Sequence, residues 1–173
     1  MPSTPFETVI LTTAFYGVLL MSLLMFSTVY QWVLVDSARI RLGEMANQVA
    51  YEVAGLYSMC QRPRNNMDLF KPISIPASVS DKGYAMELKK IDGVWLIVAY
   101  LESNRMINAS SPLWSDPGVE MIVETGSGSF QVGSYTVHYN SVIHSGQSNP
   151  VVWARRINGT IMVGLGWVEN GGG

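Results

Sequence analysis

The side chains that could carry chemistry here are few and scattered. There are two histidines, His138 and His144, and one cysteine, Cys60. A single thiol forms no intrachain disulfide, and two imidazoles with one thiol fall short of an ordinary zinc ligand set. His138 falls on the solvent phase of the alternating residues Tyr135, Val137 and Tyr139, so it is expected to be exposed. His144 stands beside Ser145 and Gly146 in a loop-like stretch, and no Gly-x-Ser-x-Gly elbow marks a nucleophile for either histidine. The run Thr125-Gly126-Ser127-Gly128-Ser129 is not followed by a helix pattern or a lysine, which a phosphate-cradling loop requires. Arg62 close to Cys60 is a feature of reactive thiols, but a buried inert thiol at a helix end is the plainer reading. The acidic pairs Glu120/Glu124 and Asp116/Glu120 have carboxylate spacing that calcium sites use, and no metal is assigned to them. No catalytic residue, metal or cofactor is expected, and the chain reads as a non-enzyme.

Two sequons, Asn108-Ala109-Ser110 and Asn158-Gly159-Thr160, are candidates for N-glycosylation. Asn158 is also a turn residue of the kind that adopts a left-handed conformation at a hairpin tip. Trp95, Trp114, Trp153 and Trp167, with Tyr84, Tyr100, Tyr135 and Tyr139, are most simply core and cross-strand pairs. A sugar-binding groove is the functional alternative for them.

The elements that position these residues follow from composition and periodicity. The 173 residues suit one compact domain and one long additional element. Hydrophobic residues make up 48% of the chain and charged residues 14%, and the apolar excess is concentrated near the amino end. A net charge of −2, with no basic run longer than a pair, gives none of the electrostatic footprint of a nucleic-acid binder.

Positions 8–35 contain no Asp, Glu, Lys or Arg. A bilayer core takes roughly 20 apolar helical residues, so this stretch is long enough to span with some tilt. Thr12, Thr13, Ser22 and Thr28 are tolerable there, because hydroxyls bond back to helical carbonyls. Beyond it, Ala38, Leu42, Met45, Val49, Val53 and Leu56 recur at three- and four-residue steps among charges and amides, the pattern of an amphipathic helix. With no proline between Pro5 and Pro63, one helix is expected from about residue 6 to about residue 60, roughly 80 Å long. Its candidates for a bilayer span or for packing against other helices are Phe6, Phe15, Leu19, Leu20, Leu23, Leu24, Phe26, Tyr30 and Leu34. In the second half they are Leu42, Met45, Val49, Val53 and Leu56.

From Pro63 onward strand signals dominate. Tyr84, Met86 and Leu88 alternate with polar residues, and Asp92-Gly93 links that run to Val94–Tyr100 as a primed-turn hairpin. The second run is apolar on both faces and belongs in the middle of a packed sheet. Further strands are expected near 119–124, 134–140, 151–157 and 160–168, the last two joined at Asn158-Gly159. The fold class is therefore α+β. Residues 1–61 form the hydrophobic-to-amphipathic helix, and 62–173 form an all-β, sandwich-like head.

Three stretches carry a resemblance to a known family: the uncharged helix running into the small-residue segment Leu42–Tyr57, then Ile75-Pro76-Ala77-Ser78-Val79 with Gly83-Tyr84-Ala85-Met86-Glu87-Leu88, and the apolar hairpin ending Gly164–Val168. Together they resemble the archaeal type IV pilin-like superfamily, which includes archaellin-like filament subunits. The resemblance implies a homo-polymer joined through N-terminal helices, held in the cytoplasmic membrane before assembly, released by a pilus export machinery and ending as an extracellular filament at the cell surface. Adhesion, contact and motility are its family roles. Prepilins of this kind carry a basic leader, and no Lys or Arg precedes Arg39, so the chain is either mature or unprocessed. Arg39 and Arg41 after the apolar run favour a cytoplasmic head under the positive-inside bias, which a removed basic leader would reverse. The alternative is a low-copy membrane-anchored surface protein whose head binds a surface layer or an archaellum base component.

Overall fold

The computed structural model describes residues 5–62, 65–114 and 121–170. One helix, α1 (Pro5–Gln61), takes up 57 residues, in keeping with the absence of proline inside it. The strands follow in the order β1 (Met67–Pro72), β2 (Tyr84–Ile91), β3 (Val94–Leu101), β4 (Asn104–Pro112), β5 (Met121–Val123), β6 (Gly128–Val132), β7 (Tyr135–Asn140), β8 (Val142–His144), β9 (Pro150–Ile157) and β10 (Thr160–Asn170). They form a 6-stranded sheet ordered β1-β9-β10-β7-β6, with β5 also on β10, and a 4-stranded sheet ordered β4-β3-β2-β8. Every pairing is antiparallel except β5 with β10. The chain is α+β, a long apolar helix ahead of a β-rich region.

By compactness the chain divides into two units, Met1–Ser37 and Ala38–Gly173. The first consists, among its described residues, of the apolar part of α1. The second holds the rest of α1 together with all the strands.

Within the second unit the helix is a core element. Leu42, Met45, Val49, Val53 and Leu56 are all buried. Each contributes roughly 2 kcal/mol relative to exposure, as an upper estimate. Both sheets meet this helix. A Cβ on Gly43 would lie 3.7 Å from the Ala109 Cβ on β4. Lys71 on β1 bonds Glu52, and Arg156 on β9 bonds the Cys60 and Gln61 carbonyls. The two sheets therefore share a helix as packing partner, which a pattern of alternating strands does not specify.

The larger sheet curls strongly. Phe130 on β6 packs edge-on to Trp153 on β9 at 5.2 Å, and Tyr135 on β7 reaches Phe70 on β1 at 5.6 Å, across the intervening β10 and β9. Room for the buried Trp153 ring comes from its cross-strand partner Gly164, where a Cβ would fall 2.5 Å from a ring carbon. The indole N–H donates to the Leu165 carbonyl at 3.2 Å.

Both turn expectations hold. Asp92 and Gly93 have φ of 49° and 84°, and Asn158 and Gly159 have 51° and 90°, the left-handed pair that a two-residue primed turn needs. β3 does lie inside its sheet, with one face buried from Ile97 onward and the other buried only at Tyr100. Ile97, Ala99 and Leu101 are buried, whereas Val94 is exposed and Leu96 and Val98 are half-buried. The outer strand β4 is blunted as an edge. The Asn104 Oδ1 accepts the Met106 N–H, Asn108 Nδ2 donates to the Arg105 carbonyl, and Pro112 has no N–H to offer.

Candidate functional site

The structure separates the candidate helix residues into two groups. Phe15, Leu19, Leu20, Leu23, Leu24, Phe26, Tyr30 and Leu34 are all exposed, and the Phe6 side chain lies outside the described residues. Leu42, Met45, Val49, Val53 and Leu56 are spent on the chain's own head and are closed to a neighbouring helix.

The first group is a surface without an aqueous role. Each large apolar side chain left in water forgoes roughly 1.5–3 kcal/mol of burial. Four of the hydroxyls that interrupt this surface are satisfied by the helix itself. Thr12 donates to the Thr8 carbonyl at 2.6 Å, Thr13 to Val9 at 2.8 Å, Ser22 to Val18 at 2.9 Å and Thr28 to Leu24 at 2.9 Å. The segment thus presents mostly hydrocarbon outward and turns these hydroxyls back onto its own carbonyls, which suits residence in lipid or in a bundle of like helices. By length and composition α1 is long and apolar enough to cross a membrane.

The groups that could do chemistry do not converge. His144 lies on β8, where its Nδ1 meets Glu102 Oε1 at 2.5 Å in an exposed pair. The neighbouring Ser145 Oγ instead accepts the Tyr84 N–H at 3.1 Å, so the three do not form a relay. His138 is not the freely exposed residue expected from strand phase. Its ring stacks on Trp167 at 5.4 Å and 12°, and its Nε2 stands 3.4 Å from Glu169, because the cross-strand partner covers that face of β7. Glu124 Oε1 accepts the Gly126 N–H at 2.9 Å, so one amide of the Gly- and Ser-rich run is bonded to a carboxylate. Asp116 and Glu120 lie outside the described residues. Among the described residues no three His, Cys, Asp or Glu side chains gather at metal-binding range. Cys60 is buried.

Burial pushes the Tyr84 phenol up to about 12, and its hydroxyl donates to the Pro76 carbonyl at 2.6 Å. Burial also raises Tyr100, with Glu87 adding to the shift and Arg105 opposing it. Trp153 and Tyr84 are core residues as expected, but Trp114 is 77% exposed and Tyr135 is exposed as well. Tyr135 lines a shallow groove of about 610 Å³ with Phe70, Ile73, Asn149 and Val168, with no charged side chain among the described residues that line it. Both sequon asparagines are exposed, Asn108 in the middle of β4 and Asn158 at the β9–β10 tip.

The sequence reading did not single out Ile40, Tyr51 or Met59, which are the large apolar side chains exposed on the head-bound half of α1. Their only signal is a position off the buried stripe. Compared with protein-family models, with curated proteins and with solved structures, the chain matches none.

Proposed function

We propose that the chain is the structural subunit of an extracellular helical filament of the archaeal type IV pilus kind, serving adhesion, contact or motility. One observation carries this reading: the apolar half of α1 is exposed throughout, while the amphipathic half is already consumed by the head. A surface of that length has to be covered by something outside the chain. Transfer from bilayer to a bundle of identical helices exchanges one apolar surrounding for another, and packing between many copies supplies the driving force. Head-to-tail contacts that do not close on themselves generate a helical polymer. The role is mechanical and requires no catalytic group.

The same exposed apolar segment also fits a second reading, a low-copy membrane-anchored surface protein whose helix stays in the bilayer and whose head binds a surface layer or an archaellum base component. Negative-stain electron microscopy of material sheared from cells, with mass spectrometry of any filaments, separates the two. Filaments composed mainly of this chain support the subunit reading. Retention of the chain in detergent-extracted membrane, with no polymer, supports the anchor.

A further inference from the structure

The curl of the larger sheet brings β1 and β7 into ring contact and leaves a groove at its mouth. The floor of that groove is the edge of a closed apolar cluster. Val151 and Val168 belong both to the groove lining and to the core around Trp153 and Phe130. Over the floor stand Phe70 and Tyr135, edge-on at 5.6 Å, with Tyr135 43% exposed. Exposed Ser74 and Asn149 add an hydroxyl and an amide to the rim. The volume, about 610 Å³, falls within the roughly 300–1,000 Å³ of small-molecule sites, whose usual make-up is an apolar lining with a few polar groups. The fold leaves these polar groups largely unused. Neither the Ser74 nor the Tyr135 hydroxyl has a hydrogen-bond partner among the described residues. Asn149 Nδ2 reaches the Val168 carbonyl only at 3.5 Å, beyond the usual range for an N–H donor. The backbone of Asn149 is nevertheless fixed, with φ at 49° and its carbonyl accepting the Val168 N–H at 3.0 Å.

Charge and backbone narrow the ligand. No charged side chain is among the described residues that line the groove, and Lys71, between Phe70 and Pro72 on β1, turns to the other face and bonds Glu52. A phosphate, sulfate, uronate or amine would therefore find no counter-charge. A peptide strand would find no ladder. The Ile73 N–H donates to the Pro150 carbonyl at 2.9 Å, the Val168 N–H is taken by Asn149, and Pro72 and Pro150 have no N–H to give. A wholly apolar ligand would cover the amide and both hydroxyls without bonding them, at a cost. A neutral pyranose meets every requirement. Its C–H face is apolar and faintly positive, which matches the negative face of an aromatic ring, and its hydroxyls donate and accept as an amide and two hydroxyls do. We propose that this groove binds a neutral carbohydrate, with Tyr135, braced by Phe70, stacking on a sugar ring. Asn149, Ser74 and the Tyr135 hydroxyl bond the sugar's hydroxyls. The site stands on the head alone and does not depend on the filament reading.

The test uses the full-length chain purified in lauryldimethylamine oxide, because a maltoside detergent carries the ligand class under test. Saturation-transfer NMR and equilibrium titration are run with maltohexaose, cellohexaose, mannohexaose and N-acetylchitohexaose. Hexagalacturonate and decaproline serve as the anionic and peptide comparisons. At least one neutral hexasaccharide is expected to bind, with transfer strongest at its ring C–H protons, and neither comparison ligand is. Tyr135→Ala is expected to weaken that binding about tenfold or more. Asn149→Gly, which keeps the left-handed backbone, is expected to weaken it about fivefold. Thermal unfolding is followed for both, and Asn149→Gly decides the matter where Tyr135→Ala lowers the unfolding temperature. Failure of all four neutral sugars to bind, equal or tighter binding of hexagalacturonate or decaproline, or undiminished binding in both variants each overturns the site.

Discussion

The Arg156 guanidinium caps the end of a helix that lies far from it in sequence: Nη1 donates to the Cys60 carbonyl at 2.9 Å and also to that of Gln61 at 3.0 Å. Helix α1 has no basic residue in its own last turn, so β9 supplies the positive charge that the carbonyl end of the dipole favours. Arg156→Ala is expected to destabilise the head by about 1.5–3 kcal/mol, the range for hydrogen bonds to a charged group. Arg156→Lys should recover part of that loss. Urea unfolding of the purified chain in detergent measures both, and equal stability of Arg156→Ala and the parent would remove the cap from the account.

Two glycines of opposite character give a paired prediction. Gly164→Ala forces the Trp153 ring to shift, and overpacking of this kind costs about 1–3 kcal/mol. Gly55→Ala introduces a methyl group into open space on a helix and is expected to stabilise the isolated chain by about 0.5–1 kcal/mol. Thermal unfolding followed by tryptophan fluorescence should move in opposite directions for the two variants.

Leu24→Asp is expected to abolish filaments, because a carboxylate in a bundle of apolar helices has no partner. Leu24 lies in the compact unit that excludes the head, so the head's unfolding temperature should not change. Normal filament yield from this variant would contradict a helical core built from the exposed segment.

The buried phenol of Tyr84 makes stability depend on alkaline pH. Its folded value, about 12, lies above the ordinary value of 10.0, so the neutral form is favoured in the folded state. The contribution is complete below pH 10 and is lost as pH rises towards 12, amounting to roughly 2–3 kcal/mol at most. Tyr84→Phe, which also gives up the bond to the Pro76 carbonyl, should be less stable than the parent at pH 8 and less sensitive to pH between 10 and 12. Parallel slopes for the two chains across that interval would refute the assignment.

What could be read from the sequence was local. The long helix and the turns at Asp92-Gly93 and Asn158-Gly159 follow from residue types at adjacent positions, where proline is absent or a left-handed φ is required. β1, β4, β6 and β8 were not read. β4 is largely polar, β1 ends in Lys71-Pro72, β8 spans only three residues, and β6 starts inside the Gly- and Ser-rich run that reads as a loop. The stripe Leu42–Leu56 was visible as apolar, but its partner was not. Periodicity marks which face is buried and is silent on whether its own head or a neighbour buries it. Arg156 and Cys60 are 96 positions apart, beyond any local pattern. His138 was misjudged for a related reason, since strand phase does not reveal the Trp167 ring laid over it.

The placement of β10 has a consequence for how the head comes into being. This strand pairs with β9 along one side and with β5 and β7 along the other, and all three precede it in the chain. Until the ribosome has released β10, the larger sheet has no centre, and the stripe on α1, which precedes every strand, waits without that part of its cover. Pairings so distant in sequence close slowly. Pulse-labelled hydrogen exchange during refolding is expected to show amides of β5, β7 and β9 gaining protection together, at the moment β10 docks. Protection of β7 well ahead of β10 would instead mark an independent nucleus in the β6–β7 hairpin.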